Sequence, residues 1–137
     1  MGKEKEILEE YVKAYYSESL GYRMMGLLLN HEMLKERVIQ TGMQKVYIYG
    51  GGSLGIQLFD ALKSFADIQA VIDINATLVV SRKEIPVIGL EQLKQDYEGE
   101  WVIITPIRYL NEIYHDLQLI APKEKIMHLC EFLKEGV

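Results

Sequence analysis

The sequence is poor in cysteine and proline and has fewer basic than acidic residues. A single cysteine, Cys130, among 137 residues excludes an internal disulfide and a Cys-x-x-Cys metal knuckle. Lysine and arginine number 15 against 20 acidic residues, a net charge of −5 without the basic footprint that nucleic-acid binding rests on. The longest stretch free of charged side chains runs from Val46 to Phe59, 14 residues, short of the ~18 that a membrane-spanning helix requires. Met1-Gly2-Lys3-Glu4-Lys5-Glu6 has no apolar signal core, and Glu6 stands where a myristoylation motif has Ser or Thr. These absences point to a soluble, reduced, cytoplasmic protein with neither a membrane nor a nucleic-acid partner. What is present is ordinary for a globular chain: 49% hydrophobic and 26% charged residues, in a length suited to one domain.

The pattern changes at residue 44. Residues 1–44 read as a helical arm, in which Ile7, Leu8, Tyr11, Val12 and Tyr15 form one stripe. From Leu20 a second stripe runs through Met24, Leu27, His31, Leu34 and Val38 in alternating steps of four and three, which is heptad spacing. Ser17, Ser19 and Gly21 mark a break between the two stripes, and Gly42 suits a left-handed stop. Beyond it, residues 45–137 alternate between apolar strand runs and helical periods. Val46–Tyr49, Gln69–Ile74, Ile85–Ile88, Trp101–Thr105 and Lys125–Leu129 read as strands. The segments from Leu54, Leu90 and Leu110 read as helices. Alternation of this kind predicts a parallel sheet between two helical layers. The expected fold class is therefore α/β, a three-layer αβα Rossmann-like sheet with an N-terminal helical extension.

Four of the eleven glycines fall between residues 50 and 55. Gly50-Gly51-Gly52-Ser53-Leu54-Gly55 contains the G-x-G-x-x-G spacing directly after a strand and at the opening of a helix, the context in which this pattern cradles a pyrophosphate. Gly50 would permit the tight turn, Gly52 the approach of backbone to phosphate, and Gly55 the close packing of helix on strand. The helix end supplies free N–H groups, and Ser53 can cap it or donate to a phosphate oxygen. The sequence Gly-Ile-Gln after Leu54 excludes a Walker loop. Asp73 lies 18 residues past Gly55 at the end of the second strand, where a carboxylate accepts from ribose hydroxyls. An acidic group there favours NAD-like or UDP-like nucleotides over a 2′-phosphate. Thr105 and Pro106 end the fourth strand on the same edge, and Arg108 follows within reach of a phosphate or carboxylate. The alternative is a glycine turn that binds nothing, with Asp73 an ordinary turn aspartate.

Catalytic groupings are missing. No tyrosine has a lysine four residues later, as a short-chain dehydrogenase needs, and His31, His115 and His128 lack metal-ligand spacing. His31 reads as helix packing, His115 as helix surface and His128 as a strand residue beside the core. Nothing near Cys130 in sequence suggests a lowered thiol pKa.

From Lys45 onward the chain resembles the nucleotide-binding domain of bacterial surface-polysaccharide enzymes. The resemblance lies in Val46-Tyr-Ile-Tyr-Gly-Gly-Gly-Ser-Leu-Gly55, Ala70-Val-Ile-Asp-Ile-Asn75, Ile85-Pro-Val-Ile-Gly-Leu90 and Trp101-Val-Ile-Ile-Thr-Pro106. Such domains precede sugar acyltransferases of the sialic-acid type and sugar-nucleotide dehydratases. The resemblance implies a nucleotide or nucleotide-sugar at Gly50–Gly55, at Asp73 with Ile74 and Asn75, and at the Thr105-Pro106 turn. Many relatives carry a second acidic residue after the aspartate, whereas Ile74 stands here. No acyltransferase repeat or dehydratase domain occurs within these residues, which implies a binding module served by a separate catalytic enzyme. The same motifs resemble NADH-sensing repressors and the CoA-binding domain of succinyl-CoA synthetases, so CoA is a further, less favoured ligand. Residues 1–44 are too short and too acidic for a repressor's DNA-binding domain.

The expectation is a nucleotide or nucleotide-sugar (NAD- or UDP-type) binding module linked to polysaccharide biosynthesis and non-catalytic alone. Two alternatives stand beside it: an NAD-dependent dehydrogenase or dehydratase fragment completed by oligomerisation, and an interaction protein with a vestigial site. The stripe from Leu20 to Val38 exceeds what one helix buries on a covered sheet, so a homodimer through residues 1–44 is expected. Docking of that stripe within one chain is the alternative.

Overall fold

The computed structural model describes residues 24, 26–50, 52–73, 84–106 and 108–133. In chain order they form α1 (His31–Thr41), β1 (Lys45–Tyr49), α2 (Ser53–Leu62), β2 (Asp67–Ile72), β3 (Val87–Ile88), α3 (Leu90–Asp96), β4 (Trp101–Ile104), α4 (Leu110–Gln118), β5 (Ile126–His128) and α5 (Leu129–Leu133). The strands make one five-stranded sheet in the order β3-β2-β1-β4-β5, every pair parallel. Strand order reverses at β1, with β2 and β3 to one side and β4 and β5 to the other. Among the described residues no helix is long and apolar enough to cross a membrane.

Side chains alternate across the sheet and divide the interior into two cores. Val46, Ile48, Val71 and Ile103 pack under α1, α2 and α5, whose Leu34, Leu58, Leu62 and Phe132 are fully buried. Tyr47, Tyr49, Ala70, Ile72, Val102, Ile104 and Ile126 face α3 and α4 and meet Leu93, Ile113 and Leu117. This is the three-layer αβα arrangement of a Rossmann-like fold. β2 reaches it through an irregularity. Val46 pairs with Ile68 and Tyr47 with Ala70, so Gln69 is an extra residue, a β-bulge. The bulge lets Ile68 and Val71 share one face while Ala70 and Ile72 share the other. The strand begins at Asp67, two residues before the expected Gln69, because bulged strands do not show a strict two-residue period.

The N-terminal segment differs from expectation in two ways. The stripe from Leu20 is not carried by one helix. Leu28 bonds back to Met24 and Asn30 to Leu27, and a new helix then starts at His31 with the Asn30 side chain accepting from the Met33 amide at 3.2 Å. Asparagine at an N-cap satisfies an amide that has no partner one turn earlier, so it starts a helix even inside an apolar stripe. Gly42 ends α1 as expected, at φ +71° with its N–H on the Val38 and Ile39 carbonyls. Second, Met24, Leu28, Leu34, Val38 and Met43 lie in the same buried cluster as Val46 and Ile48. From Met24 onward the segment is therefore part of the domain's helical layer. It shares that face of the sheet with α2 and α5. Residues 1–23, including Leu20, lie outside the described residues, while Leu29 and Ile39 are exposed.

Candidate functional site

The carboxyl ends of β1 and β4 meet where strand order reverses, the place at which ligand crevices form in open parallel sheets. Gly50 leaves β1 at φ +107°, and its N–H donates to the Ile72 carbonyl at 2.8 Å. Thr105, after β4, donates both its N–H (3.0 Å) and its hydroxyl (2.8 Å) to the Tyr49 carbonyl. A Cβ on Gly50 would stand 2.5 Å from the Thr105 Oγ1 and 2.8 Å from the Pro106 Cδ. A Cβ on Gly55 would overlap the Gly50 carbonyl oxygen. Gly50, Gly55, Thr105 and Pro106 thus form one tightly packed knot. The Thr105 hydroxyl faces inward, so its work is to fasten β4 to the end of β1.

Gly52 differs from its two neighbours in the motif. It caps α2 from extended backbone (φ −78°, ψ −168°), and a Cβ there would meet nothing within 4 Å. Among the described residues the first intrahelical bond joins the Ile56 amide to the Gly52 carbonyl at 3.0 Å, and the amides of Ser53, Leu54 and Gly55 precede it in the opening turn. No acidic residue lies in the first turn of α2, whereas α1, α3, α4 and α5 carry Glu32, Glu91, Glu112 and Glu131 there. The positive end of α2 is therefore not offset by a carboxylate of its own first turn.

The remaining predicted residues fall around this edge. Asp73 follows β2, half-buried, its N–H on the Ile88 carbonyl at 3.0 Å, and the pairing of Tyr49 with Ile72 sets it level with Gly50. Ser53 is exposed, Leu54 half-buried and Arg108 exposed. Gly51, Ile74 and Asn75 lie outside the described residues.

Three residues at this end had no mark in the sequence reading of the site. His128 is buried, and its Nδ1 accepts from the Cys130 amide at 3.0 Å. That assigns the ring proton to Nε2, which donates to the Pro106 carbonyl at 2.9 Å. Burial pushes the imidazole pKa below its ordinary value and keeps the ring neutral. Tyr49 is 3% exposed, and its hydroxyl has no hydrogen-bond partner among the described residues; burial, then Asp116 and Asp73, push its pKa up. Tyr109, the N-cap of α4, sits at φ +61° and ψ +27° with its side chain 73% exposed. A tyrosine resists that backbone, so nothing in the sequence announces it. His115 is exposed on α4, and His31 sets its ring edge against Phe65 at 6.5 Å between centroids.

A cavity of about 660 Å³ lies at the opposite, amino edge of the sheet, bordered by Lys45, Tyr47, Gln69, Glu100, Trp101 and Lys125. Burial, then Glu100 and Asp96, push the Tyr47 hydroxyl up to about 12. The Lys125 ammonium stands 4.9 Å from the centre of the Trp101 ring. Among the described residues no three His, Cys, Asp or Glu side chains converge as metal ligands. This cavity is remote in the fold from the glycine turn, and the sequence motifs do not point to it.

Fold and turn together define a Rossmann-like α/β domain with a glycine-rich turn at its switch point. Comparison with known proteins returns no matching family, no matching curated protein and no matching solved structure.

Proposed function

We propose that this chain is a nucleotide- or nucleotide-sugar-binding module, associated with polysaccharide biosynthesis and non-catalytic by itself. The observation that carries the reading is the open, acid-free N-terminus of α2 behind Gly52, set at the strand-order reversal. The packing of the fold accounts for Gly50 and Gly55 without any ligand. It does not account for Gly52, whose missing side chain leaves room for an anion to approach the amides of Ser53, Leu54 and Gly55. In this reading a pyrophosphate lies on those amides, Asp73 accepts from a ribose hydroxyl, and Arg108 meets the far side of the ligand. NAD- and UDP-type nucleotides suit a carboxylate at Asp73, and CoA is the weaker fit. Among the described residues at this edge no nucleophile is paired with a base, and this reading assigns turnover to a separate enzyme.

Calorimetric titration of the full chain with NAD, UDP, a UDP-sugar and CoA tests the proposal. At least one is expected to bind, and Gly52→Val is expected to weaken it more than tenfold while remaining folded. Absence of heat from all four with a normal far-UV spectrum refutes it. So does unchanged affinity in Gly52→Val.

A further inference from the structure

We propose that Tyr109 is the base-stacking residue of the nucleotide site, held ready in a strained backbone conformation; this rests on the nucleotide reading above. Tyr109 is the only described residue other than glycine with a positive φ. For an L-residue with a bulky side chain that conformation is unfavourable, and glycine or asparagine relieves much of the penalty. The fold gives Tyr109 little in return, because its side chain is 73% exposed. Its backbone carbonyl accepts from the Ile113 amide at 3.0 Å, a bond any residue could make. The tyrosine is thus unfavourable at its own position and scarcely packed.

Its place in the chain suggests what the side chain serves. Tyr109 opens α4 three residues after Pro106, and Pro106 is packed against Gly50. Three residues span at most about 11 Å, so Tyr109 stays beside the glycine turn at the carboxyl edge of the sheet. A nucleotide holding its phosphates on α2 has a flat heterocycle to bury. An exposed aromatic ring offers the matching surface, without preference among bases, because every base has a π-face. Residues held in sparsely populated backbone conformations cluster at active sites and ligand clamps.

The full chain and its Tyr109→Asn, Tyr109→Gly and Tyr109→Phe variants separate this role from a structural one. Each is melted without ligand and titrated with NAD and with UDP. Tyr109→Asn and Tyr109→Gly should melt about 2–4 °C higher, because the strain is relieved. The same two variants should bind roughly tenfold more weakly, because the stacking face is gone. Tyr109→Phe should keep both the melting temperature and the affinity. A melting temperature that does not rise in Tyr109→Asn overturns the strain argument. Unchanged affinity in Tyr109→Asn, with the parent chain binding, overturns the stacking role alone. A parent chain that binds neither nucleotide overturns the nucleotide reading and this proposal together.

Discussion

Replacing Gly55 by alanine sets a helix gain against a steric loss, and the geometry decides between them. Alanine is worth about 1 kcal/mol more than glycine inside a helix, and it also restricts the unfolded chain. The new methyl, however, would overlap the Gly50 carbonyl oxygen and stand 2.9 Å from the Gly50 carbonyl carbon. Gly50, which carries that carbonyl, is itself anchored. The Gly50 N–H is held by Ile72 at 2.8 Å, and the Gly50 Cα lies against Thr105 and Pro106. The strain therefore falls on α2, which must lift from the sheet and loosen Leu58 and Leu62, both fully buried. Overpacking costs about 1–3 kcal/mol, and each methyl-sized void about 1 kcal/mol more. The net expectation is a loss of about 2 kcal/mol or more, from a total of roughly 7–20 kcal/mol for a chain of this size. With a urea dependence of about 2 kcal/mol per molar, the unfolding midpoint should fall by about 1 M, read by far-UV circular dichroism. Gly52→Ala is the internal control, because its methyl meets nothing within 4 Å, and it should lose less than about 1 kcal/mol as a poorer cap. A Gly55→Ala midpoint at or above that of Gly52→Ala would refute the reasoning.

Two other outcomes follow from the packing. The His128 pKa is lower in the folded chain than in the unfolded one, so above about pH 6.5 the ring is neutral in both and its contribution is complete. As pH falls below that value the unfolded chain takes up the proton first and stability declines, until the folded ring is protonated too; His128→Gln should lack this component in urea titrations across pH 4–8. Leu34, fully buried within one chain, should cost about 2–5 kcal/mol when cut to alanine. If the docking is intramolecular, the unfolding midpoint of either protein should not change with protein concentration. A midpoint that rises with concentration would instead place this helix in a dimer.

Much of the architecture is legible along the chain because it rests on local period. Leu90–Asp96 is found as a helix where its spacing predicts one, the five strands lie where the apolar runs lie, and Gly42 stops α1. The glycine turn is readable from its spacing after a strand, and the demand on Gly55 is local, set by the Gly50 carbonyl, whereas that on Gly50 comes from Thr105 and Pro106. What escapes the sequence depends on partners far apart. His128 meets the Pro106 carbonyl across 22 positions, and Thr105 meets Tyr49 across 56. The destination of the Met24–Val38 stripe depends on which sheet face receives it, a tertiary fact that heptad spacing does not encode. Gln69 hid the start of β2 because one extra residue breaks the alternation by which strands are recognised.

That extra residue also bears on how the strand could change over time. Losing one residue from a regular buried strand turns every later side chain to the opposite face. Losing Gln69 would do the reverse, leaving Ile68, Ala70, Val71 and Ile72 on the faces they already occupy in an unbroken alternation. β2 therefore holds one position at which the chain can shorten without exchanging its two cores, and Asp73 would still emerge beside Gly50.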